Sequence, residues 1–384
     1  MYQGKVVTNA MEQVVYGIAA AEAVNAEAER LDAQRVFLMV SAALDQQTDE
    51  IARIRDRLGP RFAGQYSGMP PHTPREAVIE VARRARAVAA DLLVTIGGGS
   101  LTDGGKVVQI CLANDIDTVE GLDPYRLGTR GGPKIKAPEV RQISVPTTLS
   151  GGEFNALGGC TDAARGMKEG YTHPLCVPRA VLLDPALSVH TPEWLWLSTG
   201  IRAVDHCVET LCSLASNPYA DGIARSALAL LAQGLRGVKV NPGDLDARQN
   251  CQIGVWQAMI PLSTGVPMGA SHAIGHVLGG ACNVPHGYTS CVMLPNVMRW
   301  NEPANAERQR QVAAALGRPD LRPCDAVRGL IRDLELPCTL ADVSVGAARF
   351  QEVAEKSMHD HWIHSNPRPI AGPDAVMEIL TAAA

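Results

Sequence analysis

Four histidines of this chain have spacings that suit metal binding or proton transfer. His272 and His276 are four residues apart, and His286 follows shortly after them. Arg202 and His206 repeat the four-residue spacing, which places two side chains on one face of a helix. A lone histidine is more often a core or surface residue. The repeated spacing, together with a third histidine expected in a loop, is typical of metal or proton chemistry.

Position 202 holds a cation where an acidic metal ligand would be expected, one helical turn before His206. A guanidinium at this place opposes a divalent ion and suits a carboxylate substrate. Alternatively, Arg202 forms only a salt bridge, to Asp205 at i+3 or to Glu209, and contacts no substrate.

A glycine turn, Gly97-Gly98-Gly99-Ser100, follows an apolar run and precedes a helix predicted to begin near Thr102. Glycines let the backbone approach a diphosphate, and the N–H groups at a helix start favour an anion. The turn matches neither the G-x-G-x-x-G fingerprint nor the P-loop, so a strand-to-helix turn without a ligand is the alternative.

A second polar turn, Pro146 to Glu153, also follows a predicted strand and contains Thr147, Thr148 and Ser150. Ligands of parallel sheets bind beyond the carboxyl ends of the strands, where both turns would lie. An ordinary turn rich in Ser and Thr explains this segment equally well.

Apolar runs without polar alternation predict strands that are buried on both faces of a parallel sheet. These runs are Val36–Val40, Leu92–Ile96, Gln142–Pro146 and Ala180–Asp184. Between them, Thr73-Pro74-Arg75-Glu76 predicts a helix start with a Thr73 N-cap and a capping-box glutamate. The sequence therefore predicts a doubly wound α/β domain over residues 1–185.

Helical patterns dominate after Asp184-Pro185, and strand-like runs become scarce. The clearest helical stretches are Ser198–Ala215, Tyr219–Leu235 and Asp325–Leu334. We therefore expect an α-helical domain over residues 186–384, which carries the histidines.

Composition excludes several classes of protein. The 384 residues carry a net charge of -5 with scattered basic residues, so no nucleic-acid partner is indicated. No apolar run approaches the roughly 20 residues that span a bilayer. The 10 cysteines form no C-x-x-C pair, which suits reduced thiols. We expect a cytoplasmic protein without membrane association.

Several motifs occur together in an order that resembles the iron-containing (group III) alcohol dehydrogenase superfamily over nearly the whole chain. They are Gly97-Gly98-Gly99-Ser100 with Asp103 and Lys106, the Pro-Thr-Thr turn, Val181-Leu182-Leu183-Asp184-Pro185, Asp205-His206-Cys207-Val208-Glu209, the histidines 272, 276 and 286, and Asn366-Pro367-Arg368. The resemblance implies a two-domain architecture like that of dehydroquinate synthase, and a nicotinamide cofactor. It implies that the cofactor is bound by Ser41, Gly97, Gly98, Gly99, Ser100, Asp103, Thr147, Thr148 and Ser150.

Metal-dependent members of this superfamily use an aspartate and three histidines. The matching positions are Arg202, His206, His272 and His286, with His276 as a nearby non-ligand histidine. If a metal is present, the resemblance therefore implies His206, His272 and His286 as its ligands. The missing aspartate leads us to expect that no metal is required.

Within the superfamily, the chain looks most similar to the maleylacetate reductase branch. Arg202-Ala203-Val204-Asp205-His206 matches its Arg-Ala-x-Asp-His sequence, and the Pro-Thr-Thr turn reaches Glu153 one residue sooner than in other branches. The branch implies reduction of maleylacetate to 3-oxoadipate with NADH or NADPH in the degradation of aromatic compounds, by a homodimer. Arg202 would stabilise the enolate oxygen or hold a substrate carboxylate, and a histidine would deliver the proton.

Ser41 follows the first predicted strand, where many metal-dependent relatives have an aspartate that pairs with the ribose. Without that carboxylate, a 2′-phosphate is not repelled. We therefore expect NADH and NADPH both to be used.

Two other functions remain open from the sequence. One is an Fe- or Zn-dependent alcohol dehydrogenase with a three-histidine site and an open metal position. The other is a non-redox lyase that keeps NAD as a resident cofactor and resembles dehydroquinate synthase.

Overall fold

The computed structural model describes residues 5–384, which form two compact units. One unit is Asn9–His190, and the other is Thr191–Ala384 with the described N-terminal residues up to Thr8.

A parallel sheet of six strands forms the centre of the Asn9–His190 unit, with strand order β1-β8-β5-β4-β2-β3. The strands are β1 (Gln13–Tyr16), β2 (Val36–Val40), β3 (Phe62–Ser67), β4 (Leu92–Gly97), β5 (Arg141–Pro146) and β8 (Ala180–Leu183). Strands β6 (Leu157–Asp162) and β7 (Met167–Thr172) form a separate antiparallel hairpin. The predicted doubly wound parallel-sheet fold is confirmed.

Both faces of the sheet are apolar because successive side chains of a strand point to opposite sides. In β2, Leu38 and Val40 join the cluster on one face, and Phe37 and Met39 join the cluster on the other. Helices cover these faces: α1 (Ala20–Arg30), α2 (Ala42–Gln47), α3 (Glu50–Leu58), α4 (Arg75–Ala87), α5 (Gly99–Ala113) and the short α6 (Pro185–Ser188).

Two predicted helix starts in this unit are wrong. Thr73 is not the N-cap of α4: its φ is 56°, Pro74 is the N-cap, and the Thr73 hydroxyl donates to the Ser100 carbonyl at 3.0 Å. Ser100 Oγ in turn accepts from the backbone N–H of His72 at 3.2 Å. Tertiary contacts with α5 therefore replace the local cap. Helix α5 itself begins at Gly99 rather than near Thr102.

A buried arginine fixes the β6–β7 hairpin. Arg75 is only 1% exposed, and it donates to the carboxylates of Glu169 and Asp123 and to the hydroxyl of Tyr171. Because a buried guanidinium needs paired acceptors, this network holds the hairpin against α4.

The Thr191–Ala384 unit is helical in its described part, as predicted. Its helices are α7 (Glu193–Cys212), α8 (Pro218–Val240), α9 (Leu245–Ser263), α10 (Ala270–Cys282), α11 (His286–Ala315), α12 (Pro323–Asp333), α13 (Phe350–Ser357) and α14 (Pro373–Ala382). His286 begins α11, so its predicted place in a loop is wrong. Across residues 5–384, no helix combines the length and apolarity that a membrane span requires.

Candidate active site

The glycine turn lies where β4 ends and α5 begins. Gly97 has a φ of 151°, and a Cβ there would come within 2.4 Å of the Leu101 side chain, so only glycine fits. Gly98 is the N-cap and has no side chain with which to cap this helix of 15 residues. The positive end of the helix dipole is therefore suited to bind an anion.

The second polar turn lies directly beside the glycine turn. Thr147 N–H donates to the Gly97 carbonyl at 2.9 Å. A Cβ added to Gly98 would lie 3.3 Å from the Thr148 methyl carbon, and one added to Gly99 would lie 3.0 Å from Ser150 Oγ. The structure thus brings together backbone and hydroxyl groups that suit a diphosphate.

Ser41 and Asp103 flank these turns. Ser41 N–H donates to the Ile96 carbonyl at 2.9 Å, and a Cβ added to Gly97 would lie 3.3 Å from the Ser41 Cβ. Asp103, in the first part of α5, lies 3.5 Å from the ammonium of Lys106. All nine cofactor residues predicted from the sequence therefore belong to the Asn9–His190 unit, around the start of α5.

Helix α7 of the other unit presents four ionisable side chains on one face. The four are Arg202 and His206, and Asp205 and Glu209, each pair four residues apart, and none is more than 7% exposed. Charged groups at this depth need partners, since burial of an unpaired charge is costly. Their partners come from α10, α11 and the segment before α14.

Glu209 fixes the start of α10. Its carboxylate accepts from the N–H groups of Gly269 at 2.8 Å and Ser271 at 2.9 Å, while Asn366 Oδ1 accepts from Ala270 N–H at 3.2 Å. The first orphan donors of the helix are thereby satisfied by side chains distant in sequence. His272 follows one residue later, so Glu209 also positions that ring.

His272 and His206 form the buried centre of the cluster. His272 Nδ1 lies 2.8 Å from Glu209 Oε2, and the rings of His272 and His206 are 4.6 Å apart. Burial, helped by the charge of Arg202, lowers the pKa of His206 to about 3 and holds the pKa of His272 well below its ordinary value. Both rings are therefore neutral. His272 Nε2 and His206 Nδ1 have no hydrogen-bond partner among the described residues, which leaves them available as ligand atoms.

Asp205 and Arg202 are linked through Ser290. The Ser290 hydroxyl donates to Asp205 Oδ2 at 2.6 Å and accepts from Arg202 Nη1 at 3.0 Å. The salt bridge expected at i+3 is present, with 3.7 Å between Arg202 Nη1 and Asp205 Oδ2. Burial raises the pKa of Asp205 to about 6, against the opposing effect of Arg202. Arg202 Nε has no partner within residues 5–384.

His276 is the accessible member of the group, with 38% of its side chain exposed. Its Nδ1 lies 2.8 Å from Asp360 Oδ2, and its Nε2 lies 3.5 Å from Arg202 Nη2. The ring stacks on His286 with 6.1 Å between centroids and also contacts Trp362 at 5.2 Å. The five catalytic residues predicted from the sequence thus lie in one cluster.

Sequence reasoning missed Asp360 and Trp362, which pack on the histidines from the C-terminal part of the chain. A signal was present, because His359-Asp360-His361-Trp362-Ile363-His364 concentrates three further histidines, an aspartate and a tryptophan. Spacing did not connect this segment with His276, because the two are distant in sequence.

Comparison with known families and proteins identifies relatives along the whole chain. The family described as iron-containing alcohol dehydrogenase matches residues 12–185, and its C-terminal counterpart matches residues 196–384. Maleylacetate reductase 2 of Cupriavidus pinatubonensis is 33% identical over 374 residues, which cover 97% of this chain and 94% of that protein. Dehydrogenase FUM7 of Gibberella moniliformis is 32% identical over 415 residues, which cover 98% and 97%.

Solved structures show the same architecture. The crystal structure of maleylacetate reductase from Agrobacterium tumefaciens is similar with a TM-score of 0.83 and 27% identity, over 100% of this chain and 98% of that one.

The expectation that no metal is required is wrong on two findings. The chain matches a family of iron-containing enzymes over both of its units. In addition, Asp205, Glu209 and His272 each offer one ligand atom, and these atoms lie within 4.8 Å of one another. The described structure thus contains a group of residues that could hold a metal ion.

The physical reason for the error is that Asp205 and Glu209 were considered only as salt-bridge partners of Arg202, not as metal ligands. The structure places two buried carboxyl groups, Asp205 and Glu209, beside His272, so acidic ligand atoms are available at positions other than 202. Carboxylate and imidazole donors together suit Fe²⁺ or Zn²⁺. Asp205 Oδ1 and His272 Nε2 have no hydrogen-bond partner among the described residues, so the donor set of these residues fits a divalent metal.

Proposed function

The chain belongs to the iron-containing alcohol dehydrogenase family and is an oxidoreductase, and we propose that it reduces maleylacetate, or a closely similar unsaturated oxo-dicarboxylate, with NADH or NADPH. The relative from Cupriavidus pinatubonensis that bears the name maleylacetate reductase supports this substrate class.

The observation that carries the proposal is Arg202. Its guanidinium is 3% exposed and lies beside His276, and its Nε has no partner among the described residues although Nη1 lies 3.7 Å from Asp205 Oδ2. A dicarboxylate supplies a carboxylate for such a cation, and a dry site strengthens the pairing. Arg202 therefore favours an oxo-acid over an uncharged carbonyl compound.

We assign proton delivery to His276. NADH or NADPH supplies the hydride, which leaves negative charge on the enolate oxygen of the substrate. His276 is accessible, and Asp360 holds its Nδ1, so Nε2 is directed towards the Arg202 side of the cluster. His206 and His272 are buried and neutral, which suits them to hold a ligand rather than to exchange protons with solvent.

Asp205, Glu209 and His272 would hold the metal, with His206 beside them. A divalent metal supplies Lewis acidity towards a substrate oxygen. In the other unit, the glycine turn, Thr148 and Ser150 would bind the cofactor diphosphate. A homodimer and a place in the degradation of aromatic compounds remain predictions.

The proposed function is tested by following NADH oxidation with maleylacetate and, separately, with small aldehydes. We expect kcat/KM for maleylacetate to exceed that for acetaldehyde at least a hundredfold, and a chelator to lower both. The effect of the chelator tests whether turnover depends on a metal. The comparison of substrates tests whether Arg202 favours a dicarboxylate.

The second candidate function is that of a metal-dependent alcohol dehydrogenase, which the carboxylate and histidine group favours. Equal or faster turnover of small aldehydes would establish it in place of the reductase. Absence of any NADH oxidation, with tightly retained NAD, would instead support a non-redox lyase.

Ser41 leads us to expect that NADH and NADPH are used with kcat/KM values within tenfold of each other. Ser41 lies beside Gly97 and presents no carboxylate that would repel a 2′-phosphate. Ser41→Asp is the matched variant and should lower kcat/KM for NADPH at least tenfold while NADH is retained. A hundredfold preference of the wild type for NADH, about 2.7 kcal/mol, would contradict the prediction.

A further inference from the structure

Lys106 is a buried ammonium group in the Asn9–His190 unit. It lies on α5, two turns after the glycine turn, and its exposed fraction is 0%. Lysines are almost never fully buried unless they are paired, because the charged form loses its hydration. Because this burial is costly, we expect Lys106 to do more than fill space between α5 and its neighbours.

The three acceptors within 3.4 Å of the ammonium belong to one short segment, residues 152–157. Lys106 Nζ donates to the Gly152 carbonyl at 2.5 Å, to the Leu157 carbonyl at 2.8 Å and to Asn155 Oδ1 at 3.4 Å. An ammonium has three N–H donors, so these three bonds use its full capacity. Lys106 therefore fastens this segment to α5.

Two carboxylates balance the charge of Lys106. Asp103 Oδ1 lies 3.5 Å from Nζ, and Glu153 belongs to the fastened segment. Burial lowers the pKa of Lys106, and Asp103 and Glu153 oppose this shift. Burial likewise raises the pKa of Glu153 to about 7. Asp103 thus adds a charge interaction to the contacts that the carbonyl groups make with the ammonium.

The fastened segment directly follows the hydroxyl groups that face the glycine turn. Gly151 has a φ of 75° and reverses the chain between Ser150 and Gly152. Thr148 and Ser150 lie so close to Gly98 and Gly99 that a Cβ on either glycine would be 3.3 Å or less from them. Any shift of residues 152–157 would therefore move these hydroxyls relative to the start of α5.

We propose that Lys106 is a positioning residue for cofactor binding, which fixes residues 152–157 to α5 and thereby holds Thr148 and Ser150 over the helix N-terminus where the diphosphate binds. It acts through this segment, since its own donors are already used by Gly152, Asn155 and Leu157. The inference rests on the proposed use of NADH or NADPH.

The test compares Lys106→Met with Gln109→Leu. Gln109 is a matched control because it lies on the same helix, is 0% exposed and bonds to Gln142 and Cys176, away from residues 152–157. The Kd of NADH is measured by calorimetry, and kcat and the KM values are measured by NADH oxidation.

We expect Lys106→Met to raise the Kd and KM of NADH at least tenfold, with kcat at saturating NADH and the KM of the carbonyl substrate changed less than threefold. Gln109→Leu should lower the Tm but leave the Kd of NADH within twofold of the wild type. A purely structural role of Lys106 would make the two variants alike.

An unchanged Kd of NADH in folded Lys106→Met overturns the inference and leaves the proposed function intact. A wild type that binds neither NADH nor NADPH overturns the proposed function, and the inference with it. If Lys106→Met does not fold, Lys106→Gln replaces it, because the shorter, uncharged amide fills the site but cannot reach all three acceptors of residues 152–157. A Kd equal to that of the wild type in this variant also overturns the inference.

Discussion

Replacement of Arg202 by methionine is expected to lower kcat/KM for maleylacetate about 100- to 1000-fold, the usual cost of removing a preorganised group that stabilises developing charge. The guanidinium lies 3.5 Å from His276 and 3.0 Å from Ser290, and its Nε has no partner in the described part of the chain. It is thus held by its neighbours and keeps donor capacity for a substrate oxygen. Steady-state kinetics with maleylacetate measure the effect.

The same variant should bind a divalent metal at least as tightly as the wild type. Arg202 Nη1 lies 3.7 Å from Asp205 Oδ2, so its charge competes with a metal for that carboxylate. Zn²⁺ titration by calorimetry measures the affinity. Weaker Zn²⁺ binding in Arg202→Met would show that the guanidinium supports the metal group rather than opposing it.

Arg248→Met is the control for loss of a buried arginine. Arg248 is 1% exposed in the same unit and lies over the ring of Trp196, with 4.7 Å from the guanidinium carbon to the ring centroid. Its replacement should lower the Tm without changing the KM of maleylacetate. If both variants lose activity equally, Arg202 affects activity only through the stability of the protein. The proposal that Arg202 binds a substrate carboxylate then fails.

The sheet was predictable where the local pattern coincided with the tertiary environment. Val36–Val40 and Ala180–Leu183 are apolar throughout and buried on both faces, so the sequence alone indicated these strands. Phe62–Ser67 and the β6–β7 hairpin escaped prediction because they are half-buried, polar or glycine-rich. The hairpin depends on Arg75, which is distant in sequence, so no local window contains its cause.

The part of the site that follows from helix periodicity could be predicted from the sequence. The spacing of Arg202 and His206, and of His272 and His276, placed each pair on one helix face. The metal group was mispredicted because its assembly is non-local: Glu209 meets His272 across 63 residues. Asp205 and Glu209 entered the prediction only as salt-bridge partners of Arg202, because spacing along α7 does not show that both lie beside His272.

Replacement of Glu209 by alanine is expected to lower the free energy of unfolding by about 3 to 5 kcal/mol, as is usual when one partner of a buried charged network is removed. The buried N–H groups of Gly269 and Ser271 would lose their acceptor, and His272 Nδ1 would lose its partner at 2.8 Å. Each unsatisfied buried donor costs about 1 to 3 kcal/mol. In addition, loss of a carboxylate that orients a metal-binding histidine weakens the affinity for the metal about 10- to 100-fold.

Urea denaturation measures the stability of Glu209→Ala, and Zn²⁺ retained after dialysis measures its metal affinity. Glu335→Ala is the control, because Glu335 pairs with Lys239 at 2.7 Å while 77% of its side chain is exposed. Exposed ion pairs contribute little to stability, so this variant should resemble the wild type in both measurements. Because Glu209 serves both the start of α10 and His272, its loss should reduce stability and Zn²⁺ retention together. A fully stable Glu209→Ala protein with undiminished Zn²⁺ would show that neither α10 nor the metal group depends on this carboxylate.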